Sequence, residues 1–91
     1  MRRRGKGRPV RETRGKLALA EWLAAEAGRS ETSLAATLGV TQPLIAMWLR
    51  GVARPASDLR VALERLCSIP QEDWLDTEER LRVAKIHKAA S

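Results

Sequence analysis

The sequence predicts an all-α fold of four to five short helices, on three observations. Apolar residues recur at helical rather than alternating spacing from Leu17 onward, and glycines punctuate that pattern at Gly28 and Gly39. A hydroxyl or carboxylate stands at most of the points where a new helix would begin. No strand pattern and no internal repeat appears. With 44% hydrophobic residues and only three aromatics, all Trp, in 91 positions, the core is expected to be small and built largely from Leu, Ala, Val and Ile, without a large cleft.

From Leu17 to Ala27, Leu17, Ala20, Leu23, Ala24 and Ala27 share one helical face, with Glu21 and Ala25 opposite, and Gly28 is placed to end this first helix. Trp22, with Leu19, falls toward the edge of that face, where packing is the simpler role and a dimer contact or docking of the tail the alternatives. Ser30 is an N-cap candidate for a second helix through Thr32, Leu34, Ala35 and Leu38, ended by Gly39. Thr41 caps a third, Gln42 to Arg50, whose Pro43 costs little because first-turn amides have no internal acceptor. GVARPAS reads as a loop, with Ser57 and Asp58 opening a fourth helix whose core side is Leu59, Ala62, Leu63 and Leu66, with Cys67 beside them as a small buried hydrophobe. Pro70 suits the first turn of a short element QEDWL that brings Trp74 and Leu75 to the bottom of the core. Asp76 and Glu79 have the spacing of a capping box for a last helix through LRVAKIHKA.

Charge divides the chain. Residues 1 to 16 hold Arg2, Arg3, Arg4, Lys6, Arg8, Arg11, Arg14 and Lys16 against Glu12, a local +7, whereas the rest sums to −1. Gly5, Gly7 and Pro9 break any helix there and little is apolar, so a disordered basic arm is expected over 1–16, followed by a helical domain over 17–75 and a tail over 76–91 that can itself be helical.

Several classes of function are disfavoured. Cys67 is the only cysteine, so neither an intrachain disulfide nor a Cys-based zinc site can form, and a reducing compartment is expected. LALAEWLAAEAG carries Glu21 and Glu26 and so fails as a signal-peptide core or a membrane span; the expected location is cytoplasmic and nucleoid-associated. His87, the one histidine, sits between Lys85 and Lys88 without a partner at ligand or catalytic spacing and reads as a surface residue. No nucleophile and base set, phosphate loop or carboxylate pair can be assembled, so no enzyme activity, cofactor, metal or small-molecule substrate is expected.

The informative stretch is LAATLGVTQPLIAMWLRG, residues 34 to 51. Two short helices joined by a turn of about three residues can cross steeply, which presents the second to a duplex. Ala35 is small where the helices would approach, Gly39 supplies the positive φ of the turn, and Val40, Ile45 and Trp48 fall where the pair buries its inner face.

This stretch, followed by ARP, resembles the helix-turn-helix of the lambda-repressor and Cro-like superfamily, including the XRE group of bacterial and phage regulators. Its QP start and WLRG ending are similar to the Cro-like YdaS antitoxin group in particular. The resemblance runs from about Leu17 to Leu75 and leaves out the arm and the tail. It implies a lambda-repressor-like fold and a base-facing set of Gln42, Pro43, Leu44, Ala46 and Met47. Gln42 would pair with adenine N6 and N7, and Leu44 and Met47 would touch a thymine methyl. Ser30, Thr32, Thr41, Arg50 and Arg54 would face phosphates. Glu31 departs from the pattern and would repel one.

The partner so implied is double-stranded DNA, bound by a homodimer on an operator as a transcriptional regulator, most simply a repressor, with the arm supplying nonspecific attraction. Two other classes stay open. One is an antitoxin or phage accessory protein whose main partner is another protein, met through Trp22, Trp74 and the 76–91 helix. The other is nonspecific DNA or RNA condensation by the arm alone.

Overall fold

Thr13 decides where the first helix begins. In the computed structural model, which describes residues 13–90, its buried hydroxyl accepts from the Lys16 amide at 3.1 Å and starts α1, Arg14–Ala25. Arg14, Gly15 and Lys16 are therefore helical rather than part of an arm, while Arg2, Arg3, Arg4, Lys6, Arg8 and Arg11 lie outside the described residues. Then follow α2 (Glu31–Leu38), α3 (Gln42–Arg50), α4 (Ser57–Cys67), a 3₁₀ turn (Gln71–Trp74) and α5 (Thr77–Ala90). Among the described residues the fold is all-α, with five α-helices and no strand, and no single helix is long and apolar enough to cross a membrane.

The ends of α2 and α3 follow from side chains that supply what the helix backbone lacks. Ser30 accepts from the Ser33 amide at 3.0 Å while the Ser33 hydroxyl accepts from the Ser30 amide at 3.0 Å, a reciprocal capping box. Thr41 caps α3, with Pro43 in its first turn, and Gly51 ends it at φ 80°. At α4 the expected cap is displaced by one residue: Ala56 occupies the cap position without a side-chain bond, and Ser57 is already helical. Asp76 and Glu79 form the expected reciprocal box at the start of α5, each amide meeting the other's carboxylate at 2.9 Å.

The core is Leu19, Leu34, Ala35, Ile45, Trp48, Leu63, Cys67, Ile69 and Trp74. Trp48 of α3 and Trp74 of the 3₁₀ turn meet with ring centroids 6.4 Å apart and planes tilted by 59°, so one aromatic pair ties the middle of the chain to its later part. α1 joins the pair through a glycine. A Cβ at Gly15 would stand 2.7 Å from Cε2 and Cε3 of Trp74, so the indole lies against the α1 backbone where no side chain intervenes. Burial at Cys67 raises its thiol pKa to about 11.

The inward face of α1 is not the expected one. Gly15 and Leu19 are buried and Trp22 packs beside them, an i, i+4, i+7 stripe. Leu17 is 56% exposed, and Ala20, Ala24 and Ala27 face solvent. Only Leu23 of the expected set packs against the core.

The helix also stops at Ala25 rather than at Gly28, which is not in the left-handed region. Arg29 folds back instead: its guanidinium lies 3.9 Å over the Trp22 ring and donates to the Trp22 carbonyl at 2.8 Å, meeting one of the acceptors a helix end leaves open. On α4 Leu63 and Cys67 are buried but Leu66 is exposed, and Ile69 beyond the helix completes that side. Trp74, expected to serve either the core or a partner surface, is wholly buried.

Candidate nucleic-acid interface

The turn between α2 and α3 is built by Gly39. At φ 73° it lets its own amide reach Ala36 O at 3.3 Å and the Val40 amide reach Ala35 O at 3.0 Å, closing the end of α2. Three residues then separate helices whose axes turn by 114°. Ala35, 4% exposed, is the small residue buried on α2, and Ile45 and Trp48 bury the inner side of α3.

With Ile45 and Trp48 turned in, the opposite side of α3 faces out. Gln42 and Pro43 are exposed, and Ala46 and Met47 are half-buried. Leu44 is half-buried and packs against the core, so it divides its surface between core and ridge. Gln42 does not hang free: its Nε2 donates to Glu31 Oε1 at the start of α2. A carboxylate only accepts, so this bond turns the amide nitrogen toward Glu31 and leaves Oε1 on the other side. Glu31, expected only to repel a phosphate, thus orients the leading polar residue of α3. The two stand eleven positions apart on different helices, and no helical or strand period reveals such a pairing.

The residues expected to face phosphates divide. Ser30, Thr32, Thr41 and Arg50 are exposed around the ends of α2 and α3, and the hydroxyls of Ser30 and Thr41 already accept from helix amides. Arg54 has another task. It pairs with Glu79 through both terminal guanidinium nitrogens, the Nη2 contact at 3.3 Å, and donates to the Trp74 carbonyl at 3.2 Å, tying the loop after α3 to the first turn of α5. The Glu79 hydrogen bond, chief among the causes, holds this guanidinium above its usual pKa. Arg54, expected to face a phosphate, is thus engaged by a carboxylate 25 positions ahead, and the loop sequence alone carries no sign of that pairing. Nearby, burial and then the Arg54 charge lower the pKa of Arg60, whose Nε donates to the Pro55 carbonyl at 2.8 Å.

Of the basic arm residues within the described range, Arg14 is exposed and Lys16 half-buried, both on the first turn of α1. Compared with protein-family models, with curated proteins and with solved structures, the chain matches none.

Proposed function

We propose that this protein is a sequence-specific regulator of double-stranded DNA of bacterial or phage type, with α2 and α3 as its helix-turn-helix and a homodimer as its working form. The observation that carries the reading is the 114° turn, which leaves Gln42 exposed at the leading end of α3 while Ile45 and Trp48 anchor the other side. A helix so placed enters the major groove by its N-terminal end. There the Gln42 amide offers adenine an acceptor for N6 and a donor for N7, and Met47 offers an apolar surface to a thymine methyl. Thr32, Thr41 and Arg50, with the amides at the helix starts, lie on the sides that would meet the backbone. One helix of nine residues reads few base pairs, and pairing two copies on half-sites about 34 Å apart multiplies the discrimination.

The described residues hold eleven basic and ten acidic side chains, close to neutral, so long-range attraction to DNA is assigned to the basic residues before Thr13. Selection from a random duplex pool is expected to yield one recurring, two-fold symmetric site. Gln42→Ala with Met47→Ala abolishes that preference while the circular dichroism spectrum stays helical. Removing residues 1–12, which spares the Thr13 cap, weakens binding to every duplex alike and flattens the dependence of log K on log salt by about 0.9 for each phosphate that those residues neutralise. A pool that returns no preferred sequence overturns the reading.

A further inference from the structure

α4 buries Leu63 and Cys67 on one side and leaves a patterned strip on the other. That strip is Asp58, Val61, Ala62 and Arg65, spaced i, i+3, i+4 and i+7, so its members are neighbours on one helical face. It borders a shallow groove of about 530 Å³ that runs against the end of α2, and all four strip residues line the groove together with Leu38 and Leu66. Leu66 is 41% exposed, Asp58 and Arg65 are exposed, and Val61 and Ala62 are half-buried. The middle of the strip is therefore apolar, while its first turn is acidic and its last turn basic.

Neither charge is neutralised within the described residues. Asp58 accepts from the Leu59 amide at 2.9 Å, and no ion pair joins Asp58 or Arg65 to another described side chain. The root of α5 differs, since Glu79 there is paired with Arg54 and Arg80 with Asp73.

The order of the charges selects the occupant. A second α4, laid antiparallel about a two-fold axis between Val61 and Ala62, sets Asp58 of each copy against Arg65 of the other and Val61 against Ala62 at the centre. A parallel pairing would set Asp58 against Asp58, so the strip accepts its own copy in one orientation only. Under that axis one patch meets itself, and the assembly closes at two chains. Ala62 leaves room at the centre for the two helices to approach closely. A duplex would meet Asp58 as a repelling charge and leave Val61 and Leu66 in water.

We propose that α4 is the face through which two copies of this chain pair, with Val61, Ala62 and Leu66 between them and an ion pair from Asp58 to Arg65 at each end. The inference rests on the homodimer of the proposed function and names its contact. None of Gln42, Pro43 and Met47 lines the groove, so the contact does not use the outward side of α3.

Sedimentation equilibrium of the full chain without DNA, over a range of concentrations, is expected to show reversible dimerisation. Arg65→Asp sets Asp against Asp, Asp58→Arg sets Arg against Arg, and each weakens the dimer at least about tenfold. An equimolar mixture of these two variants is expected to regain a dimer, as a one-to-one heterodimer, because each then offers the other opposite charges at both ends. If Asp58 and Arg65 served only the ends of their own helix, mixing would rescue nothing. Both side chains are exposed, so each variant is expected to keep the parental circular dichroism spectrum, which separates failed pairing from failed folding. A chain that sediments as a monomer at every concentration, or a mixture without heterodimer, overturns the proposal. So does a dimer that ignores the charge variants and dissolves in Val83→Asp with Ile86→Asp, which would move the contact to α5. A random duplex pool that returns no preferred sequence, beside a dimer that obeys the charge variants, would break the DNA reading and support this one.

Discussion

α1 and α5 are the two longest helices among the described residues and have similar local beginnings, yet they differ in what they bury. Each starts at a side-chain cap, Thr13 for α1 and the Asp76 and Glu79 pair for α5. α1 then lies down on the core through Gly15, Leu19 and Trp22, whereas α5, two residues longer, buries nothing. A cap determines that a helix begins. Whether the helix then contributes to stability depends on what its faces meet, because most helical stability in proteins comes from packing rather than from propensity.

That contrast can be tested from its strongest point downward. Trp74→Ala removes the ring on which α1 and α3 converge and is expected to cost about 3 to 5 kcal/mol, enough to unfold much of a marginal domain, as read by urea denaturation. Next is Gly15→Ala, which in an exposed helix would help but here drives a methyl into the Trp74 indole; a loss of about 1 to 3 kcal/mol is expected, and a gain would show that α1 does not seat as described. Gly39→Ala meets no atom within 4 Å, so its cost is backbone strain alone at φ 73°, about 1 to 2 kcal/mol, and Gly39→Asn should recover part of it. Smallest is Ile86→Ala on α5, expected to change global stability by less than about 0.5 kcal/mol. Hydrogen exchange should order the helices in the same way, with the later turns of α5 exchanging first.

The same contrast explains what can be read in advance. The bounds of α2 and α3, the capping by Ser30 and Thr41, the turn at Gly39 and the box at Asp76 are all local features, written in a few consecutive residues, and the structure has them where the sequence places them. The inward face of α1 escapes a reading that starts the helix at Leu17. Without the turn that contains Gly15, the stripe of Gly15, Leu19 and Trp22 is cut short, and the alanines at 20, 24 and 27 complete a rival pattern. Gly15 carries no local sign of its role within a basic run, since its reason for being there is an indole 59 residues away.

The candidate interface divides along the same line. Exposure of Gln42 and Pro43 and burial of Ile45 and Trp48 follow from helical period alone. The bond from Gln42 to Glu31 and the capture of Arg54 by Glu79 do not, because each joins residues of separate elements.

By itself, then, the sequence determined that the fold is all-α, where α2 and α3 start and stop, and which side of α3 is apolar, since capping, left-handed glycines and period act over a handful of neighbouring residues. The tertiary structure alone decided which side of α1 turns inward, that Arg54 serves α5 rather than the open surface, and that α5 stands uncovered. Those outcomes depend on atoms brought together from distant positions, and proximity in space leaves no mark on the order of residues along a chain.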